Sequence, residues 1–480
     1  MHKLAVMLLV AAALAGCAKP TDPVPGDAPA SSGTAPSAVA FDATRQAIAV
    51  DPAKVGQAGF VMLGHNGAEP NIGITSTGSI FVSSSSTVMR SQDAGATWMA
   101  VQTNTLPNSD PMLWVDPLTD RIYNAPMAVI LACSALYMSD DDGATWTTVP
   151  NMECGRGVYD HQKLATGRPG PDLNPAAGVQ WPTVAYMCYN GVAATNCGTS
   201  YDGGATWAWD HPTVVNVLPA QEGGGATTGC TSGQNGHPTA APDGTVVYAR
   251  NGPGCPQPFL VVSRDSGLTW TMVPGPHSPS PTALDPEVAF TPDGTLYLLF
   301  QDKDFNQVLA RSRDMGKTWD GQWIVSPPGV RSTSFSALAA GSDGRIAMGF
   351  LGTRDDDGSP SSVNATSRWS LYIVTSEDAA GDAPTFTAHQ ATPDDKPVQV
   401  GPIWQGGGGD PSRNLLDFID GAVAPDGTFY VAYAEGCTQK CEEKGREAKD
   451  TDSRSRETAV GFLRGWSLYA PGEGPAKLLK

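Results

Sequence analysis

Acidic residues and histidines recur at one kind of position in this chain, immediately ahead of a short apolar run. The places are EPNI at Glu69, SDPM at Ser109, YDHQ at Tyr159, GHPT at Gly236, LDPEV at Leu284 and LDFID at Leu416, with STSF at Ser332 as an uncharged seventh. Asp-Pro and His-Pro begin strands readily: a carboxylate accepts amide bonds from its own turn, and proline is tolerated at a strand's first position. Gathered round one axis, Glu69, Asp110, Asp160, His161, His237, Asp285, Glu287 and Asp417 would form a ring of acceptors suited to sugar hydroxyls or a divalent cation. The same ring could supply two carboxylates roughly 5 to 10 Å apart across a glycosidic bond. Asp160, with the His161 imidazole beside it, and Glu287, one strand pitch beyond Asp285, are the candidate catalytic pair. Asp110, His161, His237, Asp285 and Asp417 are candidate ligand-binding residues.

Cationic groups fall in loops that the same reading places beside this ring. Arg156, Arg250, Arg331, Arg354 and Arg413 are the arginines there, and Arg250, Arg331 and Arg354 join the candidate binding set. Asp355, Asp356 and Asp357 in GTRDDDGSPSS have the carboxylate density of a Ca2+ loop without the full spacing of a known one; a solvated acidic loop is the competing reading.

The elements that must position these residues are written in repeats. SQDAGATW at Ser91 returns as SDDDGATW at Ser139, SYDGGATW at Ser200, SRDSGLTW at Ser263 and SRDMGKTW at Ser312. About two dozen residues ahead of each octet stands a turn and a β-rich run, seen most clearly as PDGTVVYAR at Pro242, PDGTLYLLF at Pro292 and PDGTFYVAY at Pro425. Asp-Gly between apolar alternations is a hairpin signal. Each unit therefore reads as strand, tight turn, strand, loop, strand, octet, strand, which is the four-stranded antiparallel blade of a β-propeller. The lead-ins count seven blades, with six as the alternative in an all-β fold. A sixth octet is degraded to SEDAAGDAPTF, and the seventh unit has none, so its outer strand is expected from the N-terminal side, at GFVMLG from Gly59 to Gly64.

The octet resembles the Asp-box, or BNR repeat, of sialidases and related propellers: S-x-D-x-G-x-T-W holds in all five copies. The resemblance implies that each box lies on the turn between the third and fourth strands, with Asp93, Asp141, Asp202, Asp265 and Asp314 in structural roles. A carboxylate bonded to its own turn is not free for acid-base work, so function is expected on the opposite face. Sialidases hold the substrate carboxylate with three arginines and use a tyrosine-glutamate nucleophile with an aspartate acid-base. Their RIP motif, which carries the first arginine, is absent from this chain.

The N-terminus sets an expected compartment. Residues 1–16 read as a signal peptide, and LAGC at Leu14 to Cys17 resembles the lipobox of bacterial lipoproteins, so Cys17 is expected to be lipidated and to anchor the chain in a membrane. Ala18 after the cysteine points to the outer membrane, with the cell surface as one destination. Residues 17–45 form a Pro/Ala/Ser-rich tether too poor in large apolar residues to bury a core, and 46–475 form the single propeller domain. The remaining cysteines suit an oxidising compartment and fall into near-neighbour pairs, Cys133 with Cys154, Cys188 with Cys197, Cys230 with Cys255 and Cys437 with Cys441. CTQKC lacks the second ligand pair of a zinc site. A formal charge of −18 repels phosphate backbones and argues against nucleic acid.

Three functions remain in play at this level. The propeller recognises a glycan or protein partner through the face opposite the boxes, or is an exo-glycosidase of sialidase type, or is an assembly or scaffold factor.

Overall fold

The computed structural model describes residues 44–45, 48–49, 57–103, 110–128, 133–152, 160–190, 195–209, 235–251, 257–278, 285–405, 410, 412–437 and 456–474. The stretch read as a signal peptide, Cys17 and nearly all of the stretch read as a tether lie outside them.

Apolar runs bounded by turns become seven antiparallel sheets that follow one another along the chain and close into a propeller. Each blade is named here by its innermost strand. Blade 1 starts at Asn71–Ile74, blade 2 at Leu113–Val115, blade 3 at Asp160–Gly167, blade 4 at Thr239–Ala240, blade 5 at Glu287–Phe290, blade 6 at Ser332–Ala340 and blade 7 at Asp420–Val423. Second and third strands such as Leu296–Gln301, Gln307–Ser312 and Phe429–Glu435 are buried at every position, because adjacent blades cover both of their faces. Fourth strands such as Met99–Thr103 stay largely exposed. In blade 3 the fourth strand shrinks to a single bridge between Thr199 and Ala208. Among the described residues there is no α-helix, and none long and apolar enough to cross a membrane.

Turn chemistry follows the sequence closely. At the Asp-Gly hairpins, Asp243, Asp293 and Asp426 each accept the amide two residues on, while Gly244, Gly294 and Gly427 take φ of 89°, 86° and 85°. In all five boxes the serine hydroxyl donates to the aspartate at 2.8–2.9 Å and accepts the glycine amide. The threonine amide and hydroxyl both donate to the same carboxylate, the hydroxyl at 2.6 Å. The degraded sixth copy keeps this wiring: Ser376 donates to Asp378, which also accepts the amide and hydroxyl of Thr385 across three inserted residues. Phe386 takes the tryptophan's place and is fully buried.

Blade 7 is closed from the N-terminal side, as expected. Gln57–Asn66 pairs antiparallel with Glu457–Arg464, setting Val61 opposite Val460, so the first long strand completes the last blade. Two further pairings were not legible in the sequence. Thr44–Arg45, at the end of the stretch read as tether, lies parallel to Gly321–Ile324 of blade 5, and Ile48–Ala49 lies parallel to Phe386–Gln390 of blade 6. They occupy sheet edges that would otherwise offer unpaired backbone groups.

Cys188 and Cys197 face each other in register across Val184–Asn190 and Thr195–Ser200 and form a disulfide. Cys437 is also disulfide-bonded. Cys154, Cys230, Cys255 and Cys441, with the side chain of Cys133, lie outside the described residues.

Candidate functional site

The lead-ins to the innermost strands do converge on one centre. Blades 1, 2, 3, 4, 5 and 7 bring Glu69, Asp110, His161, His237, Asp285 with Glu287, and Asp417 into one connected polar cluster, most of it buried. Backbone strain marks the points of convergence: Glu69, His161 and Leu416 hold φ of 54°, 55° and 62°, left-handed values that non-glycine residues seldom adopt. In blade 3 the register slips between Asp160 and Lys163, and this bulge re-aims His161 and Lys163.

His161 and Asp285 form a buried hydrogen-bonded pair. The imidazole Nε2 stands 2.7 Å from Asp285 Oδ2, and the Lys163 ammonium approaches the same oxygen at 3.6 Å. Burial pushes the Asp285 carboxyl up, but His161 and Lys163 outweigh it and hold the group below its ordinary range. Phe418 from blade 7 closes the apolar side, with Lys163 Nζ 3.0 Å from its ring centre and His161 edge-on at 5.2 Å.

In the neighbouring pair the carboxyl is shifted the other way. His237 Nδ1 is 3.0 Å from Glu287 Oε1, and its Nε2 is 3.4 Å from Asn71 Oδ1. Burial, helped by the nearby Lys163 charge, lowers His237 to about 4, while burial and the adjacent Asp285 charge raise Glu287 well above the carboxylate range. Both shifts favour the uncharged form of the group concerned.

A third group gathers where blades 1, 2 and 7 meet. Glu69 Oε1 accepts the Asp417 amide at 3.1 Å, Asp110 Oδ2 accepts the His161 amide at 3.1 Å, and Arg413 pairs with Asp417. The other Glu69 oxygen, Oε2, is buried with no hydrogen-bond partner. Burial, then the charges of Asp110 and Asp417, push the Glu69 carboxyl well up. Ligand atoms of Glu69, His161 and Asp417 all lie within 4.8 Å of one another.

Of the residues nominated from sequence, Asp110, His161, His237, Asp285, Glu287 and Asp417 are thus brought together. Asp160 begins its strand, and its side chain lies outside the described residues. Arg250 is buried within blade 4, donating to Thr195 at 2.7 Å, whereas Arg331 and Arg354 are exposed on blade 6. In the acidic loop, Asp355 accepts the Arg368 amide and Asp356 the amides of Asp357 and Asn364, so those two carboxylates close their own loop. Sequence reading missed Lys163, Asn71, Phe418 and Asp420. Lys163 was findable, since it shares a strand with His161 at a spacing of two. The buried role of Asp420, which accepts the Ile72 amide at 3.0 Å, depends on its contact with another blade. A cavity of about 470 Å³ lined by Asp293, Tyr297, Ser342 and Glu473 lies at the Asp-Gly turns and includes none of these groups.

Residues 184–383 match the family model of the BNR repeat-like domain. Comparison with curated proteins finds no match. Similar solved structures include a protein of unknown function from Dyadobacter fermentans DSM 18053, at 13% identity and TM-score 0.41 over 84% of this chain and 97% of that one. The NanB sialidase from Streptococcus pneumoniae is similar at 12% identity and TM-score 0.40, over 87% of this chain and 70% of that one. The phage phi92 endosialidase is similar at 12% identity and TM-score 0.44, over 85% and 69%. The matched stretch 184–383 contains the boxes of Asp202, Asp265 and Asp314 and the start of the one at Asp378, and the same wired unit occurs outside it at Asp93 and Asp141. Over residues 184–383 the chain is thus similar to the BNR repeat-like domain, and its seven blades have the architecture of a β-propeller.

Proposed function

We propose that this chain is a recognition module, a lipid-anchored outer-membrane propeller that binds a glycan or a protein partner through the face opposite its boxes. The observation that carries this reading is how the axial groups are used. His161 is joined to Asp285, His237 to Glu287 and Arg413 to Asp417, and these pairs are buried or nearly so, committed to holding the centre of the ring together. A glycosidase instead keeps two carboxylates facing a cleft wide enough for a sugar. A sialidase would also gather three arginines, while the central cation here is Lys163. The surrounding rim retains exposed Lys303, Arg331 and Arg354 and half-buried Trp404 for contact with a ligand. The anchor and its compartment rest on LAGC and the tether that follows it.

One observation favours the hydrolase as a second reading. Glu287 is pushed toward its protonated form and Asp285 toward its ionised form two residues apart, and environments that separate two carboxyls in this way assign an acid and a base. A panel of fluorogenic glycosides, including sialosides, run beside a glycan array separates the two. Recognition predicts glycan or partner binding with no turnover above background. Hydrolysis that vanishes in Asp160→Asn with Glu287→Gln would overturn it in favour of the enzyme.

A further inference from the structure

We infer that Glu69, His161 and Asp417 form a binding site for one transition-metal dication of the Zn2+ type on the propeller axis. Three blades contribute one residue each, and their ligand atoms stand within 4.8 Å of one another. Independent support comes from Glu69 itself, which is 2% exposed and has an oxygen, Oε2, without any hydrogen-bond partner. Its other oxygen is held by the Asp417 amide at 3.1 Å, so the orphan oxygen belongs to a carboxylate whose position is already set. A buried acceptor left unpaired is costly unless a proton or a cation meets it.

The surroundings are those of a metal ligand set. His161 Nε2 is bonded to Asp285 at 2.7 Å, which leaves Nδ1 for the metal; a carboxylate behind an imidazole orients the ring and raises its basicity. The His161 backbone is pinned by Asp110, and Asp417 by Arg413. Asp110 and Asp417 both press their charge on Glu69, and a dication relieves that repulsion. Lys163 and Arg413 oppose this, but Lys163 is turned to Asp285 and Phe418, and Arg413 to Asp417. One imidazole with two carboxylates suits Zn2+ better than Ca2+, which takes six to eight oxygens. Around a tetrahedral zinc the ligand atoms would be roughly 3.4 Å apart, so binding would draw the three inward by side-chain rotation.

The site stands apart from the recognition reading and is tested separately. Chelator-treated protein is titrated with Zn2+ by calorimetry, and with Co2+ followed by visible absorbance. One equivalent is expected to bind, with affinity falling by about 100-fold or more in Glu69→Gln and in Asp417→Asn, both near-isosteric and checked for folding by circular dichroism. Asp355→Asn with Asp356→Asn is expected to leave binding unchanged. Anomalous scattering from Zn2+-soaked wild-type crystals decides the location should a variant fail to fold. A peak between Glu69 and His161 supports the site; no stoichiometric binding, a peak elsewhere, or loss of binding only in the loop variant overturns it.

Discussion

His237 and Glu287 meet in a buried pair whose surroundings push both groups toward their uncharged forms. Nδ1 and Oε1 are 3.0 Å apart, and Nε2 stands 3.4 Å from Asn71 Oδ1. Two residues before Glu287, Asp285 is instead held toward its ionised form by His161 and Lys163. Two histidine-carboxylate pairs, one with aspartate and one with glutamate, thus hold their carboxyls shifted in opposite directions, because Lys163 lies against Asp285 and Glu287 sits beside that charge.

A pH dependence follows from this pair. His237 falls from an ordinary 6.5 to about 4 on folding, so the stability it contributes is present above pH 6.5 and is lost as pH drops toward 4, by up to about 3 kcal/mol. Glu287 acts with the opposite sign: its contribution is present below the ordinary carboxylate value and is lost as pH rises through its raised folded value. Urea unfolding between pH 7.5 and 5 should show His237→Gln losing less stability on acidification than wild type. Equal slopes would mean that His237 is not buried neutral.

Lys163 is the sole described lysine buried completely, and it has no hydrogen-bond partner for its ammonium beyond the ion-pair approach to Asp285. Lys163→Met should destabilise the fold by about 3 kcal/mol or more, since it leaves a buried carboxylate with one counter-group fewer. In a double-mutant cycle with Asp285→Asn the two effects should fall short of their sum; strict additivity would deny the coupling.

Asp265→Ala should cost about 1 to 3 kcal/mol by stranding the Ser263 and Thr269 donors, and Asp378→Ala in the interrupted sixth box should cost a similar amount. Thermal denaturation measures both. Ligand affinity of the surviving folded protein should not move, and its loss at unchanged stability would place the recognition surface on the wrong face.

Removing the Cys188–Cys197 disulfide by paired serine substitution should lower stability by about 2 to 3 kcal/mol, as expected for closing so short a loop. Non-reducing peptide mapping should recover these two cysteines linked. A link from either to another blade would refute the pairing.

What the sequence alone determined about this protein is its local grammar. The S-x-D-x-G-x-T-W boxes and Asp-Gly hairpins specify their own turns, because donor, acceptor and left-handed glycine all fall within eight residues. Repetition of that unit then implied seven blades, the outer strand near Gly59, and a ring of charged lead-ins. Tertiary structure decided how those charges are used. Whether His237 is neutral or His161 is paired depends on Glu287 and Asp285, residues 50 and 124 positions away. Lys163 looks like any strand lysine until Phe418 of another blade covers it. The sixth box survived an insertion that hid it from the pattern, since hydrogen bonds require the ends of a turn to meet and not a fixed count between them. The edge strands at Thr44–Arg45 and Ile48–Ala49 are two residues long, too short for any periodicity, and only the open sides of blades 5 and 6 give them a place to pair.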